Sequence, residues 1–356
     1  MKKQLRILNL IDIPWNSGLA FYAYDQAHAL KAAGHAVYFA CPDKSAAREF
    51  AEREGFVCFP LPGRNEPFLR FPFLKLEKML AAECVDIINA HTGKTQTLAF
   101  LLSFFSAKKI AVIRTKADAR PPSKSFAFMK VSKIIAASDF IRNGYLELGV
   151  APKKIALARQ GINLPAAAPR KPEPPYKIGV LGRLDTVKGH ECFLRAAAEL
   201  IKSGVKAEFH IAGYEAGVKY TDLKKLAAIL GLGAAAVFHG RVPDSFEFIN
   251  SCDIGAIPSL GSEAVSRAAL EWLSAAKPVV ASHVGSLPEF ITPENLVPPG
   301  ETAALALRLQ TLLAAPPERL GELGAANRAR AERDFSTELF AQRTSRIFEE
   351  AVELGS

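Results

Sequence analysis

The chain has 356 residues, 49% of them hydrophobic, which allows two domains with buried cores and excludes wholesale disorder. Its net charge of +9 is uneven: residues 1–165 hold 24 Lys and Arg against 13 Asp and Glu, net +11, while residues 166–356 hold 21 against 23, net −2. Five scattered cysteines (Cys41, Cys58, Cys84, Cys192, Cys252) with no Cys-x-x-Cys pair argue for free thiols in a reducing compartment, against a disulfide framework or a zinc site.

Taken in order, short β-rich runs alternate with helical patterns. Lys2 and Lys3 precede an apolar run broken by Asp12, so Arg6–Ile13 reads as a first strand and not a signal peptide. A helix over Ala20–Ala33 ends at Gly34, and Ala36–Ala40 is the next strand. The longest apolar helix candidate, Leu98–Ala107, falls far short of the roughly 20 residues needed to span a membrane. Asp86–Asn89, Ile110–Arg114 and Ile134–Ala137 read as later strands. Ala166–Pro175 carries four prolines and no apolar period, and so reads as a linker. The alternation then restarts. Strands are expected at Lys177–Leu181, Glu208–Ile211, Ala236–His239, Ile254–Ile257 and Val279–Ala281. Helices are expected at Glu191–Ser203, at Thr221–Leu230, up to Ala275, and in the final stretch to Glu353. This pattern predicts two α/β, Rossmann-like doubly wound parallel-sheet domains facing a cleft, with ligands at the carboxyl ends of the strands.

Four stretches carry a resemblance. IIAASDFIRNGYLELGVAPKKIALARQGIN (134–163) would close the first domain, and GVLGRLDTVKGHECFLRAAAEL (179–200) holds a glycine–arginine–lysine loop. FHIAGYEAG (209–217) and VFHGRVPD (237–244) form two glycine turns, and SEAVSRAALEWLSAAKPVVASHVGSLPE (262–289) places seven residues between Glu263 and Glu271. In this order and spacing the chain resembles a family 4 glycosyltransferase of the group 1 type, over nearly its whole length. The resemblance implies the two-domain GT-B fold. It implies an acceptor-side domain at 1–165, a linker at 166–175, a nucleotide-sugar domain at 176–335, and a helix at 336–356 crossing back to the first domain. It also implies retention of anomeric configuration, with the donor phosphate taking the acceptor proton.

The chemistry asks for the same residues. A departing nucleoside diphosphate needs its developing charge met, and Arg183 and Lys188 follow a strand on a loop opened by Gly182, next to a helix start. No Asp-x-Asp pair is present, so no metal is expected, with Arg183 and Lys188 in its place. Glu271 can accept from a ribose diol, and Glu263 reaches the donor sugar by resemblance. The resemblance implies that the amides of Ala264, Val265 and Ser266 would then face the sugar or phosphate. Arg241 and Val242 lie in a turn that resembles the family's nucleotide-contacting one. His91, after its strand, is implied over the donor sugar, and Gly18 in the first strand–helix loop lets the backbone approach the donor or acceptor. The expected catalytic set is therefore His91, Arg183, Lys188 and Glu263. The donor set is Gly18, Gly182, Arg183, Lys188, Arg241, Val242, Val265, Ser266 and Glu271. No cofactor is expected beyond the nucleotide sugar, with a UDP-sugar ahead of a GDP-sugar or ADP-sugar.

The chain departs from the family pattern at Ser17–Gly18, usually paired glycines, and at Ala264–Val265–Ser266, usually glycine–aromatic–glycine. It has one extra residue between Pro258 and Glu263, and alanine at 276 where glycine commonly follows the helix. Arg114–Thr115–Lys116–Ala117 lacks the family's histidine. These changes reshape the sugar pocket. Residues 108–133 hold eight cations (Lys108, Lys109, Arg114, Lys116, Arg120, Lys124, Lys130, Lys133) against Asp118. Upstream, Phe68, Phe71, Phe73 and Leu74 mix with Arg70, Lys75 and Lys78. This points to an anionic glycolipid or lipopolysaccharide acceptor and to peripheral attachment at an anionic bilayer, on the inner face of the cytoplasmic membrane. No RNA-binding signature accompanies the charge, so no nucleic acid partner is expected. Two other readings stand beside the transferase. One is a non-catalytic nucleotide-sugar-binding or scaffold protein of the same fold. The other is a dinucleotide oxidoreductase, which lacks its GxGxxG here.

Overall fold

The computed structural model describes residues 4–63, 72–166 and 172–355. By its contacts the chain divides into Met1–Gly161 with Thr337–Ser356, and Ile162–Ser336.

The first domain runs β1 (Arg6–Leu10), α1 (Gly18–Ala32), β2 (Ala36–Cys41), α2 (Ala46–Arg53), β3 (Val57–Pro60) and α3 (Pro72–Ala82). It continues with β4 (Ile87–Ala90), α4 (Gly93–Phe105), β5 (Ala111–Lys116), a 3-10 turn at Phe126–Lys130, β6 (Val131–Ala136), α5 (Asp139–Glu147) and β7 (Ile155–Leu157). Its parallel strands lie in the order β3-β2-β1-β4-β5-β6-β7. Buried runs such as Ile87–Ala90 and Ala111–Lys116 are what a sheet covered on both faces requires. Helix starts are set by side chains: Ser17 accepts from the Ala20 N–H, and Thr92 forms a reciprocal box with Thr95.

The second domain runs β8 (Tyr176–Leu181), α6 (His190–Lys202), β9 (Ala207–Ala212), α7 (Tyr220–Ile229), β10 (Ala236–Gly240), α8 (Ser245–Ser251) and β11 (Ile254–Ile257). Then come α9 (Arg267–Ser274), β12 (Val279–Ser282), β13 (Leu296–Val297), α10 (Thr302–Ala314) and α11 (Pro317–Asp334). Its sheet order is β10-β9-β8-β11-β12-β13. The last helix, α12 (Thr337–Gly355), packs on α1, β5 and β6 of the first domain. Its Phe340 ring meets Tyr22 edge to face at 5.3 Å. Residues 162–166 belong to the second domain: the Ile162 N–H donates to Phe335 O at 2.8 Å, and Arg328 donates to Pro165 O, also at 2.8 Å.

The first strand ends at Leu10, three residues short of the run read from sequence, and β3 and β7 carried no alternation strong enough to read. The eight cations of 108–133 are not one solvated face. Arg114 and Lys116 lie on β5 and are buried, Arg114 donating to Ala90 O and Lys116 pairing with Asp118 at 2.6 Å. Burial brings the Lys116 ammonium down to about 8. Lys108 pairs with Asp86 at 2.9 Å and Lys133 with Glu350 at 3.2 Å. Phe68, Arg70 and Phe71, and the linker core 167–171, lie outside the described residues.

Candidate active site

Each sheet reverses its strand order once, and Gly182, Arg183, Lys188 and Glu263 lie on loops at one of these points while Gly18 and His91 follow strands at the other; Arg241 and Val242 follow the edge strand β10 instead. In the second sheet β8 lies between β9 and β11. The loop after β8 carries Gly182, Arg183 and Lys188, and the loop after β11 carries Glu263. Thr186–Lys188 form one 3-10 turn capped by Asp185, which accepts from the Val187 N–H at 3.2 Å. Asp185 also holds the Arg183 guanidinium at 3.1 Å. Gly189 follows at φ 70°, where a Cβ would stand 1.8 Å from the Pro258 carbonyl oxygen, so only glycine lets the two loops meet.

That meeting brings Lys188 Nζ to 2.5 Å from Glu263 Oε1. The Ser259 hydroxyl donates to the same oxygen at 2.6 Å. Glu263 is 2% exposed. Its backbone is pinned too: its carbonyl accepts from Ser286 N–H at 2.6 Å, and a Cβ on Gly285 would come within 2.2 Å of that carbonyl. In the same loop Ser262 takes φ 61°, in the left-handed region. The gap beside Gly182, Lys188, Ser259 and Glu263 is about 10 Å³, room for one water-sized group. A roomier cavity of about 450 Å³ is lined instead by Asp185, His190, Arg195, Asp222 and Leu260, and none of Arg183, Lys188, Glu263 or Glu271 lines it. His190 is buried. Burial and the neighbouring Lys188 charge bring its imidazole down to about 4, so it adds no charge to the loop.

Glu271 is placed by its neighbour Trp272. The buried indole lies against the bare backbones of Gly179 on β8 and Gly255 on β11, where Cβ atoms would sit 2.9 Å and 2.5 Å from it. Two glycines in adjacent strands thus let α9 settle onto the sheet. Burial raises the Glu271 carboxyl above the usual carboxylate range. The Arg267 guanidinium, 3.2 Å away, and Ser245 work in the other direction. Ser266 caps α9 by accepting from the Ala269 N–H, so its hydroxyl is engaged by its own helix. Val265 precedes it. Arg241 is exposed and Val242 half-buried at the end of β10.

In the first sheet β1 lies between β2 and β4. Gly18 is the first residue of α1 itself, one step inside the helix and not in the loop before it. His91 follows β4 and is fully buried. Beneath it runs a polar network. Asn89 Nδ2 donates to Asn9 Oδ1 at 2.8 Å and to Gln26 Oε1 at 2.7 Å, and Asn89 Oδ1 accepts from the Thr115 hydroxyl at 2.7 Å. Both Asn89 protons are spent there, so His91 Nε2, 3.1 Å from Asn9 Oδ1, is the donor of that contact. Nδ1 is left as the acceptor. Burial, with Arg114 adding, brings the imidazole down to about 3.

Sequence reasoning missed Ser259, Asp185, Arg267 and this network. Asp185, two residues after Arg183, and Arg267, four before Glu271, were open to reading by spacing. The network residues come from β1, α1, β4 and β5, and no local pattern joins them.

The Glycosyltransferase Family 4 model matches residues 16–165, and the Glycosyl transferases group 1 model matches 175–315. The chain belongs to the family 4, group 1 glycosyltransferases. Among curated relatives it is 28% identical over 225 residues to the MMP alpha-(1->4)-mannosyltransferase of Mycolicibacterium hassiacum, covering 61% of this chain and 52% of that protein. It is 27% identical over 179 residues to the GDP-mannose-dependent monoacylated alpha-(1-6)-phosphatidylinositol monomannoside mannosyltransferase of Corynebacterium glutamicum, covering 48% and 46%. The chain therefore spans about half the length of these relatives. In fold it is similar to HepE of Anabaena, solved with UDP-glucose: TM-score 0.80, 19% identity, 98% of this chain and 100% of that one. The chain thus shares its GT-B architecture with this solved neighbour.

Proposed function

We propose that this glycosyltransferase is a retaining, metal-independent enzyme that moves a sugar from a nucleotide-sugar donor to an anionic cell-envelope glycolipid. The observation that carries the reading is the Lys188–Glu263 contact at the strand-order reversal of the second sheet, with Arg183 on the same loop. The C1–O bond to the diphosphate breaks, and its electron pair leaves with the diphosphate. One ammonium donor of Lys188 is spent on Glu263, and its charge, with that of Arg183, meets the leaving group. The acceptor oxygen bonds to C1 on the same face and passes its proton to a donor phosphate oxygen. Glu263 Oε1 is occupied by Lys188 and Ser259, which favours direct displacement over a glycosyl ester on that oxygen. Glu263 Oε2 is left for the sugar hydroxyls and Glu271 for the ribose.

A UDP-sugar donor is favoured by the UDP-glucose bound in the Anabaena neighbour, and the C. glutamicum relative names GDP-mannose as the competitor. That relative's phosphatidylinositol substrate and the net +11 of residues 1–165 favour a phosphate-bearing lipid acceptor at the inner face of the cytoplasmic membrane. Thermal-shift titration with UDP, GDP, ADP and their sugars tests the donor, since a ligand of the native state raises stability by RT ln(1 + [L]/Kd). NMR of the anomeric product with EDTA present tests retention and metal independence. No shift with any nucleotide favours the scaffold reading, and an inverted anomer or a requirement for metal overturns the mechanism.

A further inference from the structure

Among the large apolar side chains exposed on the first domain, Leu74 (63%), Phe104 (60%), Phe105 (58%), Phe126 (58%) and Met129 (75%) lie on three neighbouring elements. Ring contacts join the elements that carry them. Phe73 meets Phe105 at 6.0 Å, Phe104 meets Phe105 at 5.2 Å, and Phe100 meets Phe126 at 5.3 Å. Phe126 and Met129 are one turn apart in a 3-10 helix, so they share a side. Scattered exposed apolar residues need no explanation, but a joined cluster marks a contact surface.

The surround is cationic. The Lys130 ammonium stands 5.9 Å from the Phe104 ring centre, and Lys75, Lys78, Lys109 and Lys124 are exposed on the same segments. From residue 93 to 130 the sequence contains one acidic residue, Asp118, and that one is turned to Lys116. Aromatic and thioether side chains level with lysines are what a headgroup boundary accepts: rings enter the acyl edge while ammonium groups stay with lipid phosphates. A protein partner would need no such excess of one sign.

We propose that this patch docks the protein peripherally on an anionic bilayer, with Phe104, Phe105, Phe126 and Met129 inserted and the lysines against the headgroups. The inference rests on the envelope-acceptor reading in naming a bilayer, and on nothing about the donor. It moves the attachment from the cations of β5, which are buried, to the end of α4 and the turn at 126–130.

The test is co-sedimentation of the full chain with vesicles of phosphatidylglycerol and phosphatidylethanolamine, or of phosphatidylcholine alone, across a salt series. Binding to the anionic vesicles is expected to weaken with salt and to level off above zero. Phe104→Ser with Phe126→Ser and Met129→Ser should abolish the salt-resistant part. Each of Lys124→Glu and Lys130→Glu should weaken low-salt binding at least fivefold. The nucleotide-induced thermal shift of every variant should match wild type, which shows that the domains are folded and separates failure here from failure of the donor reading. Absence of binding at low salt, or binding indifferent to all these variants, overturns the proposal. So does a dimer in sedimentation equilibrium that the triple variant dissolves, which would make the patch a protein interface.

Discussion

Lys188 and Glu263 are 75 residues apart in sequence and 2.5 Å apart in space, on loops that only Gly189 allows to touch. Glu263 is almost fully buried while Lys188 keeps 23% of its side chain exposed. The two are therefore unequal when removed. Lys188→Ala strands a buried carboxylate. Glu263→Gln leaves the ammonium in contact with solvent and the amide in contact with Ser259. We expect Lys188→Ala to lower the melting temperature clearly more than Glu263→Gln. Both should reduce kcat by about 10²–10³-fold, as loss of one charge contact to a transition state does. A Lys188→Ala variant with near-wild-type kcat removes that residue from leaving-group stabilisation.

Glu271 is expected to trade stability for binding. Its folded-state carboxyl is raised above its unfolded value by burial, so its share of folding stability is present below the unfolded value and is lost as pH rises through the folded one. Glu271→Gln should then stabilise the free protein at pH 7 and have little effect near pH 4. The same variant should weaken UDP binding, because a ribose diol donates better to a carboxylate. Melting curves at the two pH values, with calorimetry against UDP, check both parts. A loss of stability at pH 7 would show that the Arg267 contact outweighs the burial.

His91 makes an acid-side prediction. A neutral buried imidazole with its folded value near 3 leaves the unfolded chain binding a proton that the native state does not. Stability should fall as pH drops from about 6.5, the ordinary histidine value, toward 3, by about 1.4 kcal/mol per pH unit for this group. Asn9→Asp replaces the acceptor at Nε2 by a carboxylate. It should raise the His91 value and flatten that slope, and ¹⁵N spectra should show the ring moving from the Nε2–H tautomer to the doubly protonated form. An unchanged ring spectrum in Asn9→Asp would dissolve the tautomer assignment.

What the sequence disclosed follows from how locally each feature is encoded. Strand alternation, the Pro-rich 166–175 segment and the glycine–arginine–lysine loop are contiguous, and their reading puts the loop of Arg183 and Lys188 at the second sheet's reversal. The partnership of Lys188 with Glu263 is a tertiary fact, since it depends on Gly189 passing Pro258. The charge of residues 108–133 misled for the same reason: composition counts Arg114 and Lys116 as cations but not that β5 is covered on both faces. The amide and hydroxyl network under His91 is assembled from four separate elements and left no trace in spacing.

The turn after α9 yields a prediction that needs no ligand. Ala276 takes φ 56°, in the left-handed region that alanine adopts only under strain. The surrounding bonds are those of a helix terminus closed by such a residue: Lys277 N–H donates to Trp272 O at 3.1 Å and Ala276 N–H to Leu273 O at 3.0 Å. Glycine there relieves the strain but gives the unfolded chain more freedom, so the net gain is less than the strain itself. Ala276→Gly should stabilise the domain by about 0.5–1 kcal/mol, a rise of roughly 1–4 °C in melting temperature. Gly324→Ala is the opposing control. Its Cβ would stand 2.1 Å from the Ala276 carbonyl oxygen and would push α11 off this turn, so it should destabilise. Since α9 carries Glu271, a firmer terminus should leave the UDP affinity of Ala276→Gly at or slightly above wild type. A fall in melting temperature for Ala276→Gly would mean that the alanine methyl makes a packing contact worth more than its backbone strain.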